Sequence, residues 1–273
     1  MFASLLMLAS GSVHAVVNAV LKSGGNRLVQ LSLSSGTGTL VMVWALPFVP
    51  LPHGAWGWMI AANIIHIFYF YTLTRAFDSG DLSSAYPIFR GIAPILTAMV
   101  AVIVFGESLS LVEMIGIALI GGGMLAMVAG RHVTKETLGW SVVTGVLIAA
   151  YTIIDAEGVR AAPSAMSFIV WFFFLQGLFS LATLPLMTGE RFLTAAKAEW
   201  RPAFSAGLLS ILTFGLALYA LSLGKTATLA ALRETGMVTA LLISIFVLKE
   251  PVTWGRATAI LTICAGAVVI VMR

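Results

Sequence analysis

Apolar residues run through this chain in ten blocks, each closed by glycine, proline or charge. About 20 mostly apolar residues cross the hydrocarbon core of a bilayer as an α-helix. The pattern predicts helices over about 2–21, 28–49, 55–76, 82–105, 110–129, 138–157, 166–187, 203–223, 226–248 and 254–272. The longest expected loop is 188–201, with Glu190, Arg191, Lys197, Glu199 and Arg201. Residues 2–21 have no basic residue ahead of them and hold His14 and Asn18. They read as a first, uncleaved helix rather than a signal peptide.

Composition supports this pattern. The 273 residues are 60% hydrophobic and 10% charged, with a mean hydropathy of +1.03. Soluble domains carry about 25% charged residues. The expectation is an all-α integral membrane protein with ten transmembrane helices, short loops and no separate soluble domain. The single cysteine, Cys264, precludes an intramolecular disulfide and reads as a packing residue.

Two stretches break the apolar pattern with charge. Ser84–Leu109 carries Arg90 inside a helix-length apolar run, flanked by Pro87 and Pro94 and stopped by Gly106-Glu107. Ala231–Val252 carries Arg233 and ends near Glu250. Arg90 and Arg233 stand 143 residues apart, and so do Glu107 and Glu250. An offset of about half the chain points to an internal duplication. Residues 1–130 would form one five-helix repeat and 131–273 the other. With an odd number of helices per repeat, the second copy starts on the opposite side of the membrane, so the repeats are inverted.

A charge within a bilayer costs about 2.5–3.5 kcal/mol on insertion scales and normally faces a partner or a wet cavity. Arg90 and Arg233 are therefore the leading binding candidates. His14 and Asn18 share one helix face, as do Tyr86 and Arg90. His66, Trp171 and Tyr219 complete the substrate-site candidates. Asp155 and Glu234 are intramembrane acids and proton-coupling candidates. Each also has a structural alternative. Arg90 could bond carbonyls freed by Pro94, Glu234 could neutralise Arg233, and Asp155 could pair with Arg160. No catalytic signature occurs, and Gly224-Lys225-Thr226 lacks the glycine at 219 that a phosphate loop requires. No metal, cofactor or nucleic acid is implied.

Four stretches carry a resemblance: HAVVNAVLKSGGNRL at 14–28, GDLSSAYPIFRGIAPILTAMVAVIVFGESLS at 80–110, AAYTIIDAEGVR at 149–160 and ALRETGMVTALLISIFVLKEPV at 231–252. The chain resembles the EamA-like branch of the drug/metabolite transporter superfamily over essentially its whole length. That resemblance implies ten helices in two inverted repeats around a central cavity, and secondary transport of small organic metabolites, often export.

The reading is a non-enzymatic secondary transporter of the bacterial-type inner membrane, working as a monomer by alternating access. Its cargo is expected to be an amino acid or a related zwitterion or anion, because arginine forks suit carboxylates. Export of apolar or cationic drugs is the rival within transport, and a membrane-embedded enzyme the rival outside it. Ten of the 15 lysines and arginines fall in loops 1, 3, 5, 7 and 9. Positive loops favour the cytoplasm, which puts both termini outside. The family resemblance implies cytoplasmic termini instead.

Overall fold

The computed structural model describes residues 1–21, 26–188, 191–246 and 253–272 and, within them, all side chains except those of 18–21, 82, 83, 191, 241 and 243–246. The described residues form α1 (Phe2–Leu21), α2 (Arg27–Met42), α3 (Trp56–Asp78), α4 (Leu82–Ile103), α5 (Leu111–Ala126) and α6 (Lys135–Ala161). They continue as α7 (Ala165–Thr188), α8 (Arg191–Leu223), α9 (Thr226–Arg233), α10 (Gly236–Phe246) and α11 (Trp254–Val271). No strand occurs among the described residues.

Local chemistry sets several helix starts. The Asn26 side chain accepts from the Val29 amide at the head of α2. Ser110 and Glu113 cap each other's backbone amides at the head of α5. Such caps satisfy amides that no earlier turn can reach. Among the described residues, five helices are long and apolar enough to cross a membrane: 84–103, 135–161, 165–188, 192–223 and 254–271. Two shorter apolar helices, 2–17 and 111–126, accompany them. Phe68, Ile103, Leu212 and Leu261 lie exposed on the outside of the bundle. A water-facing surface would not carry such side chains in this density. The chain is a multi-pass membrane protein.

The structure departs from the sequence reading in three places. Most of the expected loop at 188–201 is helix, because α8 starts at Arg191 and runs through Pro202. The expected helix at 226–248 is two pieces, with a turn at Glu234-Thr235. Helix 2 ends at Met42, ahead of a short 3-10 turn at Leu46–Phe48. Pro87 and Pro94 do not end α4, which continues past both. Lys249 and Glu250 lie outside the described residues.

The helices pack in matched pairs. α2 lies against α7 and α5 against α11; α3 packs on α6 and α1 on α8; α4 also packs on α6, and α1 on α9 and α10. Small residues make the closest of these contacts possible. A Cβ on Gly116 would sit 2.9 Å from the Gly266 carbonyl oxygen, and one on Gly266 would sit 2.7 Å from that of Gly116. At the α9–α10 turn, a Cβ on Gly11 would come 2.5 Å from the Arg233 carbonyl oxygen. The break in the chain beside Arg233 is thus seated directly on the backbone of α1.

Candidate functional site

Along α3, residues His66, Tyr69, Phe70, Leu73, Thr74 and Phe77 recur at the three- and four-residue spacing of one helical stripe. All six line a cavity of about 230 Å³ between α1–α4 and α6–α9. Tyr86, Tyr151, Phe172, Phe173 and Phe214 close the aromatic wall. Polar groups interrupt it at His14, Gln30, Ser34, Gln176, Ser210 and Thr213. Arg27 and Arg233 also line it, and among the described residues no aspartate or glutamate does. Arg27 stands at the outer end of the cavity, half-exposed, 3.2 Å from Asp78 and 5.0 Å from the Phe77 ring centre. Gln30 sits nearby, wholly buried, and donates to Glu199 at 2.8 Å. The helical start of α8, expected as loop, is what brings Glu199 there.

Deeper in the bundle is a second, small chamber of about 20 Å³. Arg90, Thr97, Thr152, Asp155, Arg233 and Glu234 line it, with Tyr151 and Phe214. Tyr151, Phe214 and Arg233 belong to both spaces and form the partition between them. Arg90 donates to Glu234 at 3.1 Å, and its other terminal nitrogen lies 2.6 Å from His14 Nε2. Both members of the ion pair are buried. Arg233 instead lies over the Phe214 ring at 5.0 Å, and among the described residues its Nε has no hydrogen-bond partner. Asp155 is fully buried, and among the described residues neither carboxyl oxygen has a hydrogen-bond partner. His66 Nε2 is 4.0 Å from it.

Beyond the small chamber the bundle is shut by a polar cluster. Glu107 accepts from the Thr226 and Ala227 amides at 2.7 and 3.1 Å, holding the free N-terminus of α9. Arg160 donates to the carbonyls of Leu221 and Gly224 and to the Thr226 hydroxyl, and lies 3.7 Å from Glu107. Lys225 donates to the Ser108 carbonyl at 2.6 Å and to Glu113 at 3.1 Å. This Glu107 end is therefore bonded closed, while the half-exposed Arg27 lines the large cavity at its other end.

Several sequence expectations change here. Arg90 and Arg233 do not form an equivalent pair, since Arg90 is committed to Glu234 and His14 and does not line the large cavity. Glu234 does not neutralise its neighbour Arg233. It occupies the C-cap of α9, and adjacent helical positions point about 100° apart. Arg160 pairs with Glu157 and Glu107, not with Asp155. Arg90 does not serve carbonyls freed by Pro94. His14, His66 and Tyr86 line the large cavity. Trp171 does not line it; it packs edge-on against Trp56 and Phe174. Tyr219 is 37% exposed on the outer face of α8 and lines neither space. The Asn18 side chain lies outside those described. Arg27, Gln30 and Phe214 were missed. Gln30 carried a signal, a glutamine in an apolar helix, whereas Phe214 is one phenylalanine among 16.

Comparisons with known proteins agree with this architecture. The small multidrug resistance protein family matches residues 36–120. The EamA-like transporter family matches residues 136–272. The multidrug resistance protein EbrB of Bacillus subtilis (strain 168) is 35% identical over 71 residues, covering 26% of this chain and 61% of that protein. EbrB of Bacillus atrophaeus is 32% identical over 77 residues, covering 28% and 64%. The chain thus spans less than two thirds of the length of either relative. A solved protein crystal structure superposes with a TM-score of 0.73 over 99% of this chain and 95% of its own. At 15% identity that likeness is one of fold. The second half of the chain matches the EamA-like profile almost end to end, and the first half carries a match to a related family of the same superfamily. The chain belongs to the EamA-like transporter family of the drug/metabolite transporter superfamily.

Proposed function

We propose that this transporter moves a small organic anion or zwitterion, such as an amino acid or a related metabolite, by alternating access. The observation that carries the reading is the charge of the large cavity. Arg27 and Arg233 line it and, among the described residues, no acid does. A permanent cation would find no counter-ion there, whereas a carboxylate would find the Arg233 fork. The aromatic wall suits a cargo with an apolar body.

Two inverted five-helix repeats, 1–130 and 131–273, supply the moving parts. Their support lies in the packing. Exchanging the halves turns the α3–α6 contact into α8–α1, and α4–α6 into the α9/α10–α1 contact, while α2–α7 and α5–α11 map onto themselves. One chain carries both halves, so a monomer suffices. A bacterial-type inner membrane is carried over from the bacterial source of the Bacillus relatives, and the direction of export from the resemblance to the drug/metabolite transporters. The bonded Glu107 end and the opposite, Arg27 end would be the two gates.

The test is flux in proteoliposomes. Loaded L-phenylalanine should exchange with external amino acids and be blocked by benzoate. Arg233→Lys should weaken this exchange, because the charge remains and the fork is lost. Drug export is the second reading, favoured by the similarity to the multidrug resistance protein EbrB. Ethidium efflux without amino acid exchange would replace the first reading with the second.

A further inference from the structure

Two groups of opposite charge, the fully buried Asp155 and the half-buried Arg233, share the small chamber without touching each other's charge. Among the described residues, Asp155 has no hydrogen-bond partner on either oxygen, and Arg233 has none on Nε. An ionised carboxylate buried in this way is costly by several kcal/mol unless it is paired. The chamber, about 20 Å³, has room for about one water molecule. The other acid in the chamber, Glu234, is held by Arg90. Arg233 alone among these charges also faces the large cavity.

The groups facing Asp155 define its options. His66 comes from α3, Arg90 from α4, Tyr151 and Thr152 from α6 itself, and Arg233 and Glu234 from α9. α1 and α8 contribute only Met7, Phe214, Ala217 and Leu221. His66 Nδ1 lies 2.9 Å from the Ala62 carbonyl. A carbonyl only accepts, so Nδ1 carries the hydrogen of the neutral ring, and the Nε2 lone pair faces Asp155. A protonated Asp155 therefore has an acceptor 4.0 Å away, while an ionised Asp155 would face that lone pair.

We infer that the small chamber is a proton site in which Asp155 competes with the transported anion for Arg233. This rests on the anion reading of the large cavity. With anion bound, Arg233 pairs with it through the partition, and Asp155 holds a proton. When the anion leaves, Arg233 turns to Asp155, an ion pair forms, and the proton departs. Charge balances at each step: one anion and one proton enter together, or neither does. The arrangement makes the anion and the proton co-substrates, moving in the same direction.

The experiment is calorimetric titration of the purified full chain with benzoate in two buffers of different ionisation enthalpy. Wild type should take up about one proton per benzoate, and its affinity should fall about tenfold per pH unit as pH rises. Asp155→Asn should bind benzoate more tightly at neutral pH and with no proton uptake. Proton uptake that persists in Asp155→Asn, or a pH-independent wild-type affinity, overturns the proposal while leaving the anion reading intact. A second measurement needs no ligand. A double-mutant cycle of Asp155→Asn and Arg233→Gln, read by thermal stability, should show coupling at pH 8 that vanishes at pH 5. Absence of coupling at both pH values overturns the proposal even where benzoate does not bind, a result that by itself counts against the anion reading.

Discussion

Glu107 offers the sharpest test of the closed gate. Its two carboxylate oxygens accept from the first two amides of α9, the helix that carries Arg233 at its other end. Removing a capping side chain costs about 0.5–2 kcal/mol. A carboxylate at a helix N-terminus gains about 0.3–1 kcal/mol from the aligned peptide dipoles. Its side chain is 13% exposed, so solvent screens these bonds little. Glu107→Ala should thus shift the closed-to-open balance by about 1–2 kcal/mol, or roughly 5–30-fold. Glu107→Gln keeps an acceptor and should shift it less.

Accessibility of a buried cysteine reads that balance. Thr97 lines the small chamber, 1% exposed, six residues from the Glu107 end of α4, or about 9 Å along the helix. In a Cys264→Ser background, Thr97→Cys would be labelled by a membrane-impermeant thiol reagent added from the Glu107 side. The expected rate rises about 5–30-fold in Glu107→Ala. Equal rates with and without Glu107 would refute the argument, for then the N-terminal bonds of α9 do not hold the gate.

Three further outcomes are expected. Arg90→Ala leaves Glu234 buried and unpaired, at a cost of about 3–5 kcal/mol, whereas Arg90→Met with Glu234→Leu should cost less; midpoints of thermal unfolding in detergent separate the two. Gly11→Val places side-chain atoms against the Arg233 carbonyl and should abolish the folded yield, while Gly122→Ala, with nothing within 4 Å of its Cβ, should leave it unchanged. By the loop charges both termini are expected outside, so a reporter active only in the cytoplasm should be silent when fused after Arg273; activity there would favour the orientation implied by the family.

Much of the helix layout was legible in the sequence. Backbone inside a bilayer must satisfy its own hydrogen bonds, so an apolar run of sufficient length has little choice but helix. That reasoning placed α1, α3, α4 and α11 within a few residues. It failed at 188–201, where charge was taken for loop; α8 begins there as an ordinary polar helix before its apolar part. It also missed the turn at Glu234-Thr235, because the letters around it remain apolar enough to continue a helix.

The candidate site was legible as ingredients and not as partners. Arg90, Arg233, His14, His66, Asp155 and Glu234 stood out because each is expensive in an apolar run. Which of them pair depends on where helices cross. The seating of Gly11 against the Arg233 carbonyl brings the end of α9 onto α1, and Glu234 reaches Arg90, more than half the chain away in sequence. Among the described residues, that contact leaves Arg233 Nε and the Asp155 carboxyl without hydrogen-bond partners. The sequence determined that buried charge is present, because transfer energy belongs to each residue alone. Only the tertiary structure decided which charges neutralise one another, because Coulomb energy belongs to distances that packing sets.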